Sequence, residues 1–292
     1  LGIVGFSFEE RDNISGYSVG NFSNEVGSSF KTHDLQTVER SRTALREVWW
    51  RKKYAGDKVT LTLGKLHHSS YYNRNSFAGN ARTFFTSHAF SRNPNRLIPA
   101  DGLGVNVNIK PNNDYYWSVG FGDVRADHKS SGFDTIEEGD LFKVAEFGLT
   151  PNISNLGKGN YRFTVWQIDK TDLADKGYGF ALSFDQELNE KLGLFARYGY
   201  TEPQVSKMEN FVSGGFVIQD PWGIQGDLLG LGISWDETSD TKKDEFALEV
   251  FHRMQATRMI QVTQSILVVF DPARSDKIEP VVVFGLRTRL LF

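Results

Sequence analysis

The sequence predicts an all-β protein whose strands form an antiparallel, up-and-down transmembrane β-barrel. Three observations lead to this prediction. Apolar and polar residues alternate over most of the chain, which is typical of strands with one apolar and one polar face. The alternating segments are mostly about ten residues long, the length of a tilted strand that crosses a bilayer. The connections alternate between short and long, which favours an outer-membrane barrel over a soluble sandwich.

Composition excludes several other classes of protein. The 292 residues include 33 Lys plus Arg and 36 Asp plus Glu, and the net charge of -3 argues against a nucleic-acid-binding protein. The absence of cysteine excludes disulfides, thiol nucleophiles and zinc-thiolate sites. No stretch approaches the roughly 20 consecutive apolar residues of a membrane-spanning helix. The longest apolar runs, at 266–270 and 281–284, have the length of strands.

The alternation predicts about thirteen strands from residue 42 onward. Their predicted spans are 42–54, 58–66, 102–110, 114–126, 140–149, 160–169, 177–187, 191–201, 209–219, 226–236, 244–254, 259–270 and 280–292. Residues 1–41 are expected to add two or three strands, since Leu1–Phe8 and Ile14–Phe22 alternate weakly. Because such barrels have an even number of strands, we expect sixteen, with fourteen as the alternative. No linker divides the chain, so 1–292 is predicted to be a single domain.

The connections predict which end of the barrel each loop occupies. Tight turns are expected at Ala55–Asp57, Pro111–Asn113, Leu188–Glu190 and Gln255–Arg258, and long loops at His67–Asp101, Asp127–Gly139, Thr201–Glu209 and Asp271–Glu279. The connection formed by residues 67–101 is longer than a simple turn requires. It combines six aromatic side chains with several asparagines. We expect this loop to fold into the pore mouth and narrow it.

Several stretches, in order along the chain, carry a resemblance to a known family. They are Asp34–Leu45 with the Glu47–Trp49–Trp50 segment after it, Leu61–Leu66, Gly159–Trp166, Gly193–Tyr200, Val212–Phe216, Leu229–Trp235 and Val283–Phe292. Together they resemble the carbohydrate-selective porins of Gram-negative outer membranes, the OprB-type family. The resemblance implies a sixteen-stranded barrel in the bacterial outer membrane that passes small sugars, without catalytic group, cofactor or metal. It also implies contact with outer-membrane lipids, a homotrimer as the common assembly, and a terminal Phe292 that the barrel assembly machinery reads.

Strand parity predicts which side chains face the lumen, because charged residues on the lipid face cost about 2–4 kcal/mol near the midplane. The predicted lumen and constriction residues are Glu47, Trp49, Glu146, Arg162, Trp166, Arg197, Glu249, Arg253, Arg287 and Arg289. Arginines and carboxylates can exchange hydrogen bonds with sugar hydroxyls, and a tryptophan can cover the C–H face of a sugar. We therefore expect Arg162, Trp166, Glu146 and Glu47 to contribute to a weak sugar site, because transport requires release.

Other functions remain open. An unselective or anion-preferring porin is the nearest alternative, since rings of arginine favour anions. An outer-membrane hydrolase and a soluble carbohydrate-binding β domain are less favoured, because most histidines fall in loops and no serine lies in a nucleophile context. The adjacent His67 and His68 and the aspartates at 169, 172 and 175 match no metal-binding spacing.

Overall fold

A computed structural model describes residues 1–11, 19–32, 42–95, 99, 101–126, 136–171, 175–276 and 279–291. The strands are β1 (Ile3–Arg11), β2 (Arg42–Tyr54), β3 (Val59–Leu66), β4 (Gly102–Ile109), β5 (Tyr115–Asp123), β6 (Leu141–Leu149), β7 (Asn152–Ile153), β8 (Gly157–Ile168), β9 (Gly177–Glu187), β10 (Leu192–Thr201), β11 (Met208–Gln219), β12 (Leu228–Thr238), β13 (Asp244–Gln255), β14 (Ile260–Phe270) and β15 (Val281–Leu290). Two short helices, α1 (Val19–Val26) and α2 (His88–Ser91), lie in connections. Within these described ranges, no helix has both the length and the apolar character needed to cross a membrane.

All strands belong to one antiparallel meander. The sheet has 15 strands, and all but the two-residue β7 follow one another in chain order from β1 to β15. The short β7 pairs only with the start of β8, and this small hairpin explains why the connection after β6 is longer than a tight turn. The all-β, up-and-down fold predicted from the alternation is therefore confirmed, and the described residues contain fourteen long strands in addition to β7.

The two faces of the sheet differ as the parity predicts. On β15, Val282, Phe284 and Leu286 are 49%, 77% and 73% exposed, whereas Arg287 is 8% exposed. We call the face with exposed apolar side chains the outer face and the opposite one the inner face. Aromatic contacts lie on the outer face near both ends of the strands, with Trp117 and Phe147 at one end. An exposed apolar surface with aromatic ends is what a bilayer requires of a barrel.

The connections sort into two ends. Residues 55–58, 110–114, 188–191 and 256–259 form tight turns at one end, which we call the short-turn end. The sequence stretches between β1 and β2, between β3 and β4 and between β5 and β6 are long and join the strands at the other end, and each is described only in part. The predicted alternation holds for these connections but is not strict, since residues 220–227 lie at the short-turn end and the shorter 239–243 at the other end.

The predicted weak strand at Ile14–Phe22 is wrong where the structure describes it. Residues 19–22 belong to α1, and residues 14–18 lie outside the described part. Apolar residues stand at positions 19, 22 and 26 of this segment, and this spacing places them on one face of a helix. An apolar pattern this short does not distinguish the 3.6-residue period of a helix from the two-residue period of a strand.

A charge on the outer face should destabilise the barrel. Ile233 lies in the middle of β12 on the outer face and is 57% exposed. Ile233→Arg should lower the free energy of unfolding by about 2–4 kcal/mol, because the guanidinium would face the bilayer midplane. Urea unfolding in lipid vesicles measures this, with Ile233→Ala as the control for lost apolar area. Equal stabilities of the two variants would contradict the assignment of this face to lipid.

Candidate functional site

The connection between β3 and β4, residues 67–101, lies against the inner face, and we call it the inner segment. It begins with a short 3₁₀ helix, His68–Ser70, and contains α2, whose first turn is capped by the Ser87 hydroxyl. The rest of its backbone is irregular, so its N–H and C=O groups need partners outside the segment. Charged side chains of the strands provide many of them.

Glu249 on β13 binds two backbone N–H groups of the inner segment. It accepts a hydrogen bond from Thr86 N at 2.6 Å and one from Ser87 N at 3.0 Å. The Thr86 hydroxyl adds a third at 2.8 Å. Glu249 is 0% exposed, so these donors replace water around a buried carboxylate.

Two more carboxylates bind the first half of the inner segment. Glu146 on β6 accepts from the backbone N–H of Asn73, and Asp185 on β9 accepts from Ser76 N at 3.2 Å. Arg162 on β8 joins this group, since its Nη1 lies 2.9 Å from Asp185 Oδ2. The carboxylates thus bind N–H groups at three separate points of the segment.

Arginines bind the carbonyl groups of the same segment. Arg197 on β10 donates to Phe90 O at 2.8 Å and to Ala78 O, and Arg253 on β13 donates to Thr83 O at 3.3 Å. A guanidinium offers several donors in one plane and can bind two carbonyls at once.

Arg287 on β15 makes the same kind of contact. It donates to Ala81 O and, at 3.1 Å, to Phe84 O. Its Nη2 also lies 2.9 Å from Thr263 Oγ1 on β14. The turn of the segment around residues 81–84 is therefore held from the last strands of the sheet.

An apolar cluster adds to this polar anchoring. Phe85 of the segment is 0% exposed, and its ring centroid lies 5.3 Å from Phe90, 5.4 Å from Phe195 and 4.8 Å from Phe251. Phe77 packs on Gly193, where any Cβ would collide with its ring. Phenylalanines from a loop and from the strands thus form a dry contact within the apolar part of the inner face.

The two end residues of the segment form a closing contact with β1 and β2. His67 and Asp101 are the first and last residues of the segment, and His67 Nδ1 contacts the Asp101 carboxylate. Arg46 binds Asp101, with Nε to Oδ2 at 2.7 Å, and it also binds Glu9 on β1. The base of the segment is therefore tied to itself and to the start of the sheet.

His68 of the inner segment is buried against the sheet. It is 0% exposed, packs on Gly104 and Gly122, and neither ring nitrogen has a hydrogen-bond partner within the described residues. Burial, followed by the charge of His67, lowers the pKa of His68 to about 4. The ring is therefore neutral at pH 7.

One more contact links β2 to the segment. Glu47 accepts a hydrogen bond from His67 N at 3.1 Å. The guanidinium carbon of Arg51 lies 4.3 Å from the ring centroid of Trp49, and its Nη2 lies 3.3 Å from Tyr71 Oη. Glu47, Trp49 and Arg51 lie at alternating positions on the inner face of β2.

The ten predicted lumen residues all lie on the inner face and divide into two groups by exposure. Five are at most 8% exposed beneath the inner segment: Glu146, Trp166, Arg197, Glu249 and Arg287. Trp166 is 3% exposed, and its Nε1 donates to Asn95 O of the segment at 3.2 Å. The other five are partly exposed: Glu47, Trp49, Arg162, Arg253 and Arg289.

Arg46 was not among the predicted lumen residues. The register between β1 and β2 shifts between Ser7 and Phe8, so a bulge brings both Arg46 and Glu47 into contact with the segment. A bulge breaks the period of two, and nothing in the local sequence predicts its position. Three asparagines of the segment were also not predicted to bind the wall: Asn75, Asn93 and Asn95 donate to carbonyl groups of the strands.

Comparison with known families decides the identity of this fold. The family model described as "Carbohydrate-selective porin, OprB family" matches residues 5–172 and 167–292. The chain belongs to this family. The resemblance found in the sequence motifs is confirmed, and the OprB-family chain is a protein of the bacterial outer membrane. Members of this family and fold are channels rather than enzymes.

Solved structures and curated proteins agree with this assignment. The chain is similar to Pseudomonas putida OprB in its high-pH structure, with a TM-score of 0.80, 15% identity, and coverage of 98% of this chain and 82% of that one. The low-pH structure of the same protein gives a TM-score of 0.58 at 14% identity, over 86% of this chain and 68% of that one. Porin AaxA of Chlamydia abortus is 22% identical over 279 residues, which are 91% of this chain and 61% of that protein. The OprB-family chain thus spans about three-fifths of the length of the curated relative.

Exchange of Glu249 for glutamine should loosen the inner segment of this OprB-family chain. The two carboxylate oxygens now accept from Thr86 N and Ser87 N. A glutamine has only one side-chain oxygen, so its NH₂ group would face one of these N–H donors, which would lose its acceptor. We expect hydrogen exchange at Thr86 and Ser87 to accelerate by about tenfold or more. Glu190→Gln, the same change in an exposed turn, is the control. Unchanged exchange in Glu249→Gln would contradict the anchoring role.

Acid should destabilise this porin through His68. Its folded pKa of about 4 lies below the ordinary 6.5, so between these values the unfolded chain binds a proton that the folded chain does not. The stability that the neutral ring provides is therefore complete above about pH 6.5 and is lost as pH falls to about 4, roughly 3 kcal/mol in all. Unfolding curves between pH 4 and 7 measure it. His68→Gln should show a flatter pH dependence, and equal slopes would refute this account.

Proposed function

We propose that this chain forms a passive, water-filled channel through which small sugars cross the outer membrane. The family description supports the sugar class, and the inner face supports it chemically. The observation that carries the proposal is that Glu47, Trp49 and Arg162 stay partly exposed beside the inner segment. Their side chains offer an acceptor, an apolar ring and a donor, which are the groups that a sugar needs.

The inner segment narrows this channel in our proposal. Glu146, Trp166, Arg197, Glu249 and Arg287 are buried against it, so they act on permeation by holding the segment in place. A sugar would then meet the partly exposed side chains. This division of roles modifies the expected sugar site, in which Trp166 and Glu146 were to touch the sugar themselves.

Contacts with the sugar are expected on β2 and β8. Hydroxyl groups can donate to Glu47 and accept from Arg162, and charge-assisted hydrogen bonds of this kind are the stronger ones. The C–H face of a sugar ring can lie on Trp49. The site must bind weakly, because a channel conducts only if the solute leaves again.

A porin without a sugar site, with a preference for anions, is the second candidate. It is favoured by Arg253, Arg287 and Arg289, three positive charges on the inner faces of β13 and β15. Rings of arginine give pores an anion preference. Ion selectivity and sugar block are separate measurements, so one preparation tests both candidates.

The partners follow from the proposed location. The outer face would contact outer-membrane lipids, and the assembly that we propose is a homotrimer, because porins commonly form trimers. The predicted signal for the barrel assembly machinery is Phe292, which lies outside the described residues.

Single-channel recordings in a planar bilayer test the sugar proposal. We expect mono- and disaccharides to block the wild-type channel reversibly at millimolar concentration. Trp49→Ala should raise the half-blocking concentration by about tenfold, because the ring supplies the apolar contact. Trp222→Ala removes an exposed tryptophan at a turn and is the matched control. Channels that conduct ions but show no block by any sugar would refute the sugar site and leave the second candidate.

A further inference from the structure

Three arginines lie together on the last strands of the sheet. Arg253 on β13 is opposite Thr263 on β14, which is in turn opposite Arg287 on β15. Arg289 follows two residues later on the same inner face, nearer the short-turn end. We call Arg253, Arg287 and Arg289 the arginine cluster. Adjacent strands are about 5 Å apart, so the charges of these long side chains repel one another.

Neutral groups hold two members of the arginine cluster. Arg253 donates to Thr83 O at 3.3 Å and to Gly226 O at 3.2 Å. Arg287 donates to carbonyl groups of the inner segment. Carbonyl oxygens satisfy donors without cancelling the charge, so the positive charge of the cluster remains.

The nearest carboxylates do not neutralise the arginine cluster. Glu249 and Asp227 are the acids whose charge acts on it, and within the described residues neither forms an ion pair with a cluster arginine. Both are already used, Glu249 by the inner segment and Asp227 by His252 Nε2 at 3.1 Å and Gln255 N at 2.8 Å.

Two other arginines that contact the inner segment or its ends, Arg162 and Arg46, differ in this respect. Arg162 has Asp185 at 2.9 Å, and Arg46 has Asp101 at 2.7 Å. Those guanidiniums are paired with acids in direct contact. The arginine cluster thus differs from Arg162 and Arg46 in having no acid in direct contact among the described residues.

The arginine cluster also has unused donors. The Nε atoms of Arg253 and Arg287 are buried and have no acceptor among the described residues. Arg289 is partly exposed, and within the same part of the chain its guanidinium has no hydrogen bond or ion pair. Burying positive charge without a partner is costly, and a guanidinium fits a carboxylate or a phosphate with two parallel hydrogen bonds. An anion that touches Arg289 and the open side of Arg253 would supply the missing charge.

We propose that the arginine cluster binds the oxyanion group, carboxylate or phosphate, of a solute that passes through the channel. For sugars, this rests on the proposed function and adds acidic sugars to the solutes that the channel favours. The cluster lies toward the short-turn end, so an acidic solute would meet it at the opposite end of the barrel from the closing contact of Arg46.

Glucuronate and glucose form a matched pair of probes, since they share a ring and differ by one carboxylate. Single-channel block by each is measured for wild type, Arg253→Gln/Arg289→Gln, and Arg258→Gln, which removes an exposed charge from the neighbouring turn. We expect glucuronate to block wild type at a concentration about tenfold below that of glucose, the value of one charge-assisted contact. The advantage should vanish in the double variant and persist in Arg258→Gln. Equal block by both probes in wild type, or an advantage that survives the double variant, would overturn the proposal.

Inorganic phosphate separates this proposal from the sugar proposal. Phosphate should compete with glucuronate in wild type and not in the double variant, and the anion preference measured from the reversal potential in a KCl gradient should fall in the same variant. Both effects without any block by glucose would support the arginine cluster while the sugar proposal fails. Absence of phosphate competition in wild type would refute the cluster.

Arg289→Gln alone is a control for misfolding of the double variant, because this side chain makes no hydrogen bond or ion pair with the described residues of the inner segment. We expect about a threefold loss of the glucuronate advantage in this single variant, since one of the accessible guanidiniums is gone. No loss in a well-folded Arg289→Gln channel would count against the proposal.

Discussion

An irregular backbone on the inside of a barrel needs hydrogen-bond partners, and the rest of this structure depends on how the inner segment obtains them. Strands satisfy one another through their ladders, but residues 67–101 have few regular bonds of their own. Side chains of the inner face supply the partners instead. Carboxylates such as Glu249 bind N–H groups, and arginines such as Arg197 bind carbonyl groups. Side chains of the inner face therefore provide the hydrogen bonds that a strand would obtain from its neighbouring strands.

This arrangement explains why charged residues can be buried here. A buried carboxylate with two or three N–H donors is stabilised by charge-assisted bonds, and an arginine with two carbonyls has its donors satisfied. Apolar packing of Phe85 against Phe195 and Phe251 excludes water from the same region, which strengthens each polar bond. Polar bonds and apolar packing thus act on the same segment, and each strengthens the other.

The sequence predicted the strands and their faces well, because a period of two and the cost of a charge in lipid leave little freedom. Arg287 and Glu249 were assigned to the correct face for that reason. Their contacts could not be predicted, because periodicity gives a face and not a neighbour from a loop far away in the chain. Trp166 illustrates the difference, since its face was predicted but its burial under Asn95 was not. Arg46 was missed because a bulge interrupts the period.

The use of wall charges to hold the inner segment also determines what remains for a solute. A carboxylate can hold the segment and pair with an arginine at once, as Asp185 does with Ser76 N and Arg162, or it can hold the segment without contacting an arginine, as Glu249 does. Where an acid contacts an arginine directly, as Asp185 does Arg162, the pair is balanced. Where the segment offers only carbonyl groups, as around Arg253, the charge stays. Under the proposed function, selectivity would depend on how the inner segment is held, because Arg253 both holds the segment and belongs to the arginine cluster.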